Sequence, residues 1–199
     1  MKKYPFTHAD LVALARDAGH SFYEQPKLVI VLRNEEDPGE WNDWIVGVSL
    51  DGFMAIQGTA DPGKSVMLRQ GTGKFTTHKD GASRIQYGYY KSMWSASYHN
   101  WKPNHPCLRQ MYAVPIERYD DEEEVWKDAG TNVGSYNLHR AAWSKRARNV
   151  GNYSHGCIVA WDRVEHWNLL VWLDYPKDGP TSTAHKAWRW SALITQLQQ

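Results

Sequence analysis

Short runs of β-type residues, separated by turn signals, fill most of the chain between residues 27 and 119. The runs are KLVIVLR (27–33), DWIVGVSL (43–50), GFMAIQGTA (52–60), SVMLRQG (65–71) and CLRQMYAVPIERY (107–119). Their length and their content of β-branched and aromatic residues are typical of strands. Asp51 and Gly52 separate the second run from the third, and an Asp-Gly pair supplies the positive φ angles of a tight hairpin. The pattern predicts a mainly β, mostly antiparallel protein.

Helical patterns occur near both ends of the chain. Thr7 is a candidate N-cap with Asp10 three residues on, and an apolar stripe follows it until Gly19. Near the C-terminus, segment 161–173 is predicted as a helix and segment 183–198 as a second, amphipathic helix. The apolar residues assigned to one side of the first of these C-terminal helices are Val164, Trp167, Leu170 and Val171.

The chain of 199 residues is long enough for one domain with a substantial core. It contains neither internal repeats nor a low-complexity linker, so a single domain spanning 1–199 is expected. The acidic run DDEEEV (120–125) is interpreted as a solvated turn, with a cation site as the alternative.

The charge balance argues against nucleic acid as a partner. The formal net charge is +1, and the largest basic cluster is SKRAR (144–148), which creates little field to attract a polyanion. No segment approaches the roughly 18 apolar residues of a membrane span. No apolar run follows the charged start MKK, so a secretory signal is not predicted, and we expect synthesis in the cytoplasm.

One of the two cysteines lies in the stretch NVGNYSHGCIVAW (149–161). A cysteine is a nucleophile only as the thiolate, and an isolated thiol with a pKa of about 8.5 is mostly protonated at neutral pH. His139 and His155 are candidate bases close in sequence to Cys157, and the Ser154 and Gly156 backbone can supply N–H donors to an oxyanion. The alternatives are a buried structural thiol, a role preferred for Cys107, and a zinc site of His139, His155, Cys157 and His99.

His139, followed after fourteen residues by Ser154-His155-Gly156-Cys157, resembles the signature of the L,D-transpeptidase catalytic domain. The likeness is strongest over residues 134–160. Weaker likeness extends upstream to a divergent phage and bacterial branch, through GTADPG (58–63), LRQGTG (68–73) and YHNWKPNHPCLRQ (98–110). The resemblance implies an L,D-transpeptidase-like β-sandwich with an N-terminal helix and C-terminal helices.

The resemblance also implies roles for the residues of the motif. Cys157 is the nucleophile and His139 its base, while His155, with the backbone of Gly156 and Cys157, lines the oxyanion site beside Ser154. The family attacks the L-to-D amide of a peptidoglycan stem peptide and forms a thioester, which an amine or water resolves. No cofactor and no metal are expected, and the expected partner is the stem peptide.

Two positions depart from the family pattern. Val159 stands where the family usually has Asn or Arg, and Arg140 where a Gly commonly follows the histidine. Together with the lack of a secretion signal, this favours a hydrolase, such as a phage-type lysis enzyme that is released from the cytoplasm or exported by another route, over a cross-linking enzyme. A non-catalytic cell-wall or virion binding protein that keeps the fold is the alternative, a zinc-dependent hydrolase is the third, and the oligomeric state is left open.

Aromatic residues with a polar group are abundant, with 11 Trp and 11 Tyr against 4 Phe. Many lie in the run 86–101, which is interpreted either as a groove wall over the nucleophile or as ordinary packing. A groove predicts that His99 and Trp101 lie near Cys157. The candidate substrate-binding residues are Tyr98, His99, Trp101, Tyr136 and Arg140. Asp61 and Asp162 are interpreted as turn and helix-start residues, either of which can instead orient a histidine.

Overall fold

The structure is a computed structural model. It describes residues 3–68, 82–99, 105–133, 136–141, 147, 149–177, 179–180 and 189–197, and only the backbone of residue 152. Strands dominate these residues, as the sequence predicts, and helices are few. The mainly β class is therefore confirmed, while the single domain and the L,D-transpeptidase-like fold stay predictions.

Eight strands form one closed, barrel-like sheet. They are β1 Leu28–Arg33, β2 Asp43–Val48, β3 Phe53–Thr59, β5 Gly88–Tyr98, β6 Pro106–Gln110, β9 Leu138–Arg140, β10 Ile158–Ala160 and β11 Arg189–Gln196. Around the sheet their order is β1-β11-β5-β6-β9-β10-β3-β2. The pairs β1–β11 and β9–β10 are parallel and the other described pairs are antiparallel, as the turn-rich sequence predicts. The main sheet closes on itself, and the L,D-transpeptidase-like β-sandwich stays a prediction.

A smaller sheet packs at one end of the closed sheet. Its three strands, in the order β4-β7-β8, are β4 Ser83–Ile85, β7 Val114–Asp120 and β8 Val125–Asn132. Ile85, Val114 and Ile116 of this sheet are buried in the same cluster as the inward side chains of the closed sheet. The predicted strand 107–119 is therefore two strands, β6 and β7, separated at residues 111–113.

Two of the predicted helices are confirmed. Helix α1 (His8–Asp17) begins at Thr7, whose hydroxyl accepts from the Asp10 N–H while the Asp10 carboxylate accepts from the Thr7 N–H, which is the predicted capping box. It packs on the outside of β1 and β2, where Leu11 and Ala15 are buried. A second helix, α3 (Arg163–Trp172), begins at the Asp162 cap. Asp162 is thus the helix-start residue that the sequence predicts.

Two secondary-structure predictions are wrong. The run 65–71 was expected as a strand, but Lys64–Met67 forms a single-turn helix, α2. The expected C-terminal helix 183–198 is instead strand β11 over Arg189–Gln196, and residues 181–188 lie outside the described part. β11 pairs with β1 on one side and β5 on the other. Both of its faces are buried, so the period-2 pattern of a strand is absent from its sequence.

The buried side of α3 also differs from the prediction. His166, Leu169 and Leu170 face the core, and Leu173 just beyond the helix joins them. The predicted core residues Val164, Trp167 and Val171 are between 41% and 59% exposed. The actual buried stripe includes a histidine, so counting apolar residues selected the wrong side of the helix. Across the described ranges, no helix is long and apolar enough to cross a membrane.

Candidate active site

The Ser154–Cys157 turn immediately precedes strand β10. The Ser154 hydroxyl donates to the Cys157 carbonyl at 2.8 Å and accepts from the Gly156 N–H at 3.3 Å. Ser154 is fully buried, so the hydroxyl holds the turn from inside. Because the Gly156 N–H is already engaged, it can serve an oxyanion only after releasing Ser154.

Glycine at position 156 is required by both conformation and space. Its φ is +140°, and a Cβ atom there would lie 2.8 Å from the Ser83 carbonyl oxygen and 2.8 Å from Cε1 of Tyr136. Backbone at this φ strains any residue with a side chain. Ser83 belongs to β4, so the turn that carries Cys157 is pressed directly against the small sheet.

A second loop supports the turn from another side. The Gly63 N–H donates to the Ser154 carbonyl at 3.3 Å, and a Cβ atom on Gly63 would collide with the Gly151 backbone. The GTADPG segment, which carries the weaker family likeness, thus lies against the Ser-His-Gly-Cys turn.

The pairing of β9 with β10 places His139 beside the strand that follows Cys157. In the parallel register Leu138 lies opposite Ile158 and His139 opposite Val159, and the Ile158 N–H donates to the Asn137 carbonyl. Because side chains alternate along a strand, Val159 shares the face of His139. Cys157, in the turn directly before β10, packs in the same apolar cluster as Val159. Leu138 and Ile158 enter the core on the opposite face.

The hydrogen bond of His139 identifies its tautomer. Nδ1 lies 2.8 Å from the Arg140 carbonyl oxygen, which can only accept, so Nδ1 carries the proton. The lone pair of the neutral ring is then on Nε2. His139 is only 4% exposed, and this bond fixes its ring from the backbone of its own strand. Nε2 is therefore the atom available to accept a proton.

Burial favours the neutral forms of both groups. Cys157 is half-buried, and desolvation raises the pKa of its thiol to about 11, against a backbone hydrogen bond from Asn137 that lowers it. Burial, with the neighbouring His99, holds the pKa of His139 well below its usual range. The resting pair is a thiol and an imidazole, not a thiolate and an imidazolium, so a proton transfer must accompany nucleophilic attack.

An apolar cluster lies behind the Cys157 thiol. It consists of the buried residues Trp41, Ala141, Ala147, Val150 and Val159, with Cys157 and Trp161 packed against it. Val159 is fully buried and also lies opposite Thr59 of β3. The position where the family usually has a polar residue is thus a core position in this chain.

Three further histidines surround His139. The His99 ring stacks on it with centroids 3.9 Å apart and planes at 22°, and His105 meets it edge-on at 5.5 Å. His166 of α3 is buried. Burial, with smaller effects of His105 and Arg140, lowers its pKa to about 3. His155 is half-buried, and burial lowers its pKa as well. The site is therefore rich in imidazole but not in positive charge.

The predicted substrate-binding residues have different environments. Tyr136 is fully buried and donates to the Ser83 hydroxyl, so its ring supports the turn from below. Arg140 is 3% exposed and lies on the face of β9 opposite His139. Tyr98 is half-buried at the end of β5, with its hydroxyl against Gly179. Trp101 lies outside the described residues.

Asp61 lies in a buried ion network rather than beside a histidine. Its Oδ1 is 3.2 Å from Nη1 of Arg84 and 3.4 Å from Nε of Arg33. Desolvation raises the pKa of Asp61. Arg84 also contacts Glu35 and Glu117. The network joins β1 of the closed sheet to β4 and β7, immediately behind the supporting loop.

Sequence reasoning missed several residues of the site. His105 and His166 were not predicted to join it, because one precedes β6 and the other faces inward from α3. Ser83 was missed since its role depends on a contact with Gly156 from a distant strand. Cys107 is buried, with its pKa raised by burial. In the antiparallel pairing of β6 with β9, Leu108 lies opposite Leu138, which places Cys107 next to His139.

Within the part of the chain that the structure describes, no group of three His, Cys, Asp or Glu side chains is arranged to hold a metal ion. The stacked imidazoles present their faces to each other, whereas metal ligands point their nitrogen atoms at one centre.

Comparisons with known protein families, with curated proteins and with solved structures found no match to this chain.

Proposed function

We propose that the protein is a cysteine-dependent peptidoglycan enzyme that cleaves or exchanges a stem-peptide amide through a thioester, with Cys157 as nucleophile. The observation that carries the proposal is that Cys157, in the turn directly before β10, packs in one cluster with Val159, which lies opposite His139 and shares its face. The family resemblance supplies the substrate class. An L,D-transpeptidase-like fold belongs to the same proposal.

In the first half of the reaction, a C–S bond replaces the C–N bond of the amide, and one proton moves from the thiol to the leaving amine. Nε2 of His139 takes the thiol proton as Sγ of Cys157 attacks the amide carbon, which forms a tetrahedral oxyanion. The C–N bond then breaks, and the leaving amine takes the proton from His139. The product is a thioester on Cys157 and a free amine.

The second half regenerates the enzyme. Water or an acceptor amine gives a proton to Nε2 as its oxygen or nitrogen attacks the thioester carbon. The C–S bond breaks, and Sγ recovers the proton. Water as acceptor makes the protein a hydrolase, and an amine makes it a transpeptidase. We favour water because Val159 supplies no polar group where the family usually has one.

The proposal is tested by digestion of purified peptidoglycan and mass analysis of the soluble muropeptides. The native chain is expected to shorten or exchange stem peptides, whereas Cys157→Ser and His139→Gln are expected to lose at least about a hundredfold in rate. Cys107→Ala is the matched control at the other cysteine. Equal activity in the native and Cys157→Ser chains would contradict the proposal.

The alternative is a wall-binding protein that keeps the site without catalysis. It is favoured by the raised pKa of the Cys157 thiol, about 11, and by the apolar Val159. This alternative predicts that native and Cys157→Ser chains bind muropeptides equally and that neither changes them.

A further inference from the structure

The imidazole ring of His99 covers one face of the His139 ring. The two centroids are 3.9 Å apart with an interplanar angle of 22°, the closest ring approach in the cluster. His99 follows the end of β5, and its N–H donates to the His105 carbonyl at 2.8 Å, which joins the β5 and β6 ends. A backbone hydrogen bond therefore fixes the segment that carries the covering ring.

The groups around His139 come from every neighbouring element. His99 approaches from the end of β5, His105 from the position before β6, and Cys107 from β6. Cys157 lies on the β10 side, and His166 contributes from α3. On its own strand, the carbonyl of Arg140 accepts from Nδ1 while the guanidinium lies on the opposite face, where Arg163 of α3 influences it.

We propose that His99 is a positioning residue, which holds the His139 ring against the backbone and keeps it in the proton-accepting form in mildly acidic solution. This inference rests on the proposed function, in which Nε2 of His139 accepts the Cys157 proton. His99 itself touches neither the thiol proton nor the substrate in this role.

The physical reason is the cost of a second charge in a small cluster. Once His99 holds a proton, protonating His139 would place two cations on stacked rings, which like-charge repulsion opposes. Burial lowers the pKa of His139 most, and the stacked His99 and then His105 and His166 lower it further, against the Arg140 hydrogen bond. A histidine without these neighbours is protonated below a pH of about 6.5 and loses its lone pair.

The consequence is a site that works further into acid than an ordinary histidine allows. Because the folded pKa of His139 is lowered, the neutral ring persists as pH falls below the usual histidine range. The acid limb of the reaction is therefore expected below the pH of about 6.5 at which an ordinary histidine titrates, provided that His139 is the base.

The test is an NMR titration of the His139 ring protons, assigned by their loss in His139→Gln. The native ring is expected to stay neutral below the ordinary histidine range. His99→Phe keeps a flat ring in the stack but removes the charge, and it is expected to raise the pKa of His139 by about one pH unit. His20→Phe is the matched control, since His20 is buried against Phe22 and Tyr89.

A parallel profile of thioester formation against pH, measured by intact-protein mass with a muropeptide, connects the titration to the reaction. The acid limb is expected to move to higher pH in His99→Phe and to stay in place in His20→Phe. A purely structural role for His99 predicts a lower rate with an unmoved limb, and this result would overturn the inference.

The two proposals fail separately. If no thioester forms but the His99→Phe titration moves as expected, the proposed function fails while the effect of His99 on the His139 pKa holds. If native His139 titrates near pH 6.5, the inference about His99 is wrong whatever the activity. This last result does not use the His99 variant, so a His99→Phe chain that does not fold leaves it intact.

Discussion

At the scale of single residues, the turn before β10 depends on two residues, one for the side chain it has and the other for having none. Ser154 supplies a buried hydroxyl that ties the turn to itself, and Gly156 supplies the absence of a side chain where β4 approaches. Ser154 and Gly156 of the motif are therefore needed for the structure of the turn, whether or not the turn takes part in catalysis. A protein that only kept the fold would need both residues as much as an enzyme.

Gly156→Ala is expected to lower the free energy of unfolding by about 1–3 kcal/mol from backbone strain alone, and more if Ser83 and Tyr136 cannot move. The measurement is urea denaturation followed by tryptophan fluorescence. Gly52→Ala is the control because a Cβ atom there meets nothing within 4 Å. Equal stability of the two variants would show that the close approach of β4 does not constrain the turn.

Val159→Asn introduces a residue type usual in the family that the motif resembles, but it places an amide in a fully buried apolar cluster. Without a hydrogen-bond partner it is expected to cost about 1–3 kcal/mol of unfolding free energy. Val164→Asn, at a site that is 59% exposed, is expected to change stability by less than about 0.5 kcal/mol. A neutral Val159→Asn would mean that the pocket behind Cys157 already offers polar partners.

At the scale of elements, helix α3 packs against the core and begins at an N-cap residue that the sequence predicts. The Asp162 carboxylate accepts from the N–H groups of Val164 and Glu165 at 2.8 and 3.1 Å. The helix begins at Asp162 because its carboxylate accepts from two backbone N–H groups that have no partner within the helix. His166 and Leu169 are thereby placed on the side that faces the core.

Asp162→Ala is expected to destabilise the protein by about 1 kcal/mol, because the cap is lost, whereas Asp162→Ser keeps a capping oxygen and is expected to cost much less. Thermal unfolding followed by circular dichroism measures both. The same loss in the serine variant would indicate that the carboxylate charge, not the cap, stabilises α3.

Elements with a clear local signal were predictable and the others were not. Asp51-Gly52 marks the position of the β2–β3 hairpin, although neither residue has the positive φ that was expected. Helix α1 follows from the Thr7 capping box, and both are short-range signals. Strand β11 was mistaken for a helix because both of its faces are buried, so its residues do not alternate. The closed sheet was not predictable because it depends on β11 inserting between β1 and β5, a pairing across more than 150 residues.

The candidate site was predictable in part for the same reason. Cys157, His155, Gly156 and Ser154 are neighbours in the chain, and His139 was found through the family signature. The histidines that surround His139 come from β5, β6 and α3, and no local pattern joins those elements.

At the scale of the whole molecule, the small sheet and the closed sheet are joined by buried charges as well as apolar contacts. Arg84 on β4 pairs with Glu35, Asp61 and Glu117 at 2.7–3.2 Å and stacks on the Trp126 ring at 4.2 Å. Since β4 also presses on Gly156, this network fixes the distance between the small sheet and the Cys157 turn.

Arg84→Met is expected to lower the free energy of unfolding by about 3–5 kcal/mol, because it leaves the buried Asp61 and the partly buried Glu35 and Glu117 without one partner. Lys91→Met, which breaks the exposed pair with Glu24, is the matched control and is expected to cost less than about 1 kcal/mol. Denaturant unfolding measures both. A small effect at Arg84 would show that Arg33 alone balances Asp61.

The central claim is that Cys157 forms a covalent acyl bond with a stem peptide. The most direct measurement is the intact mass of the protein after incubation with purified muropeptides, for the native chain, Cys157→Ser and Cys107→Ala. The account predicts a mass increase equal to the acyl fragment on the native and Cys107→Ala chains and no increase on Cys157→Ser. Tight muropeptide binding by all three chains with no adduct on any of them would contradict it and leave the non-catalytic binding protein.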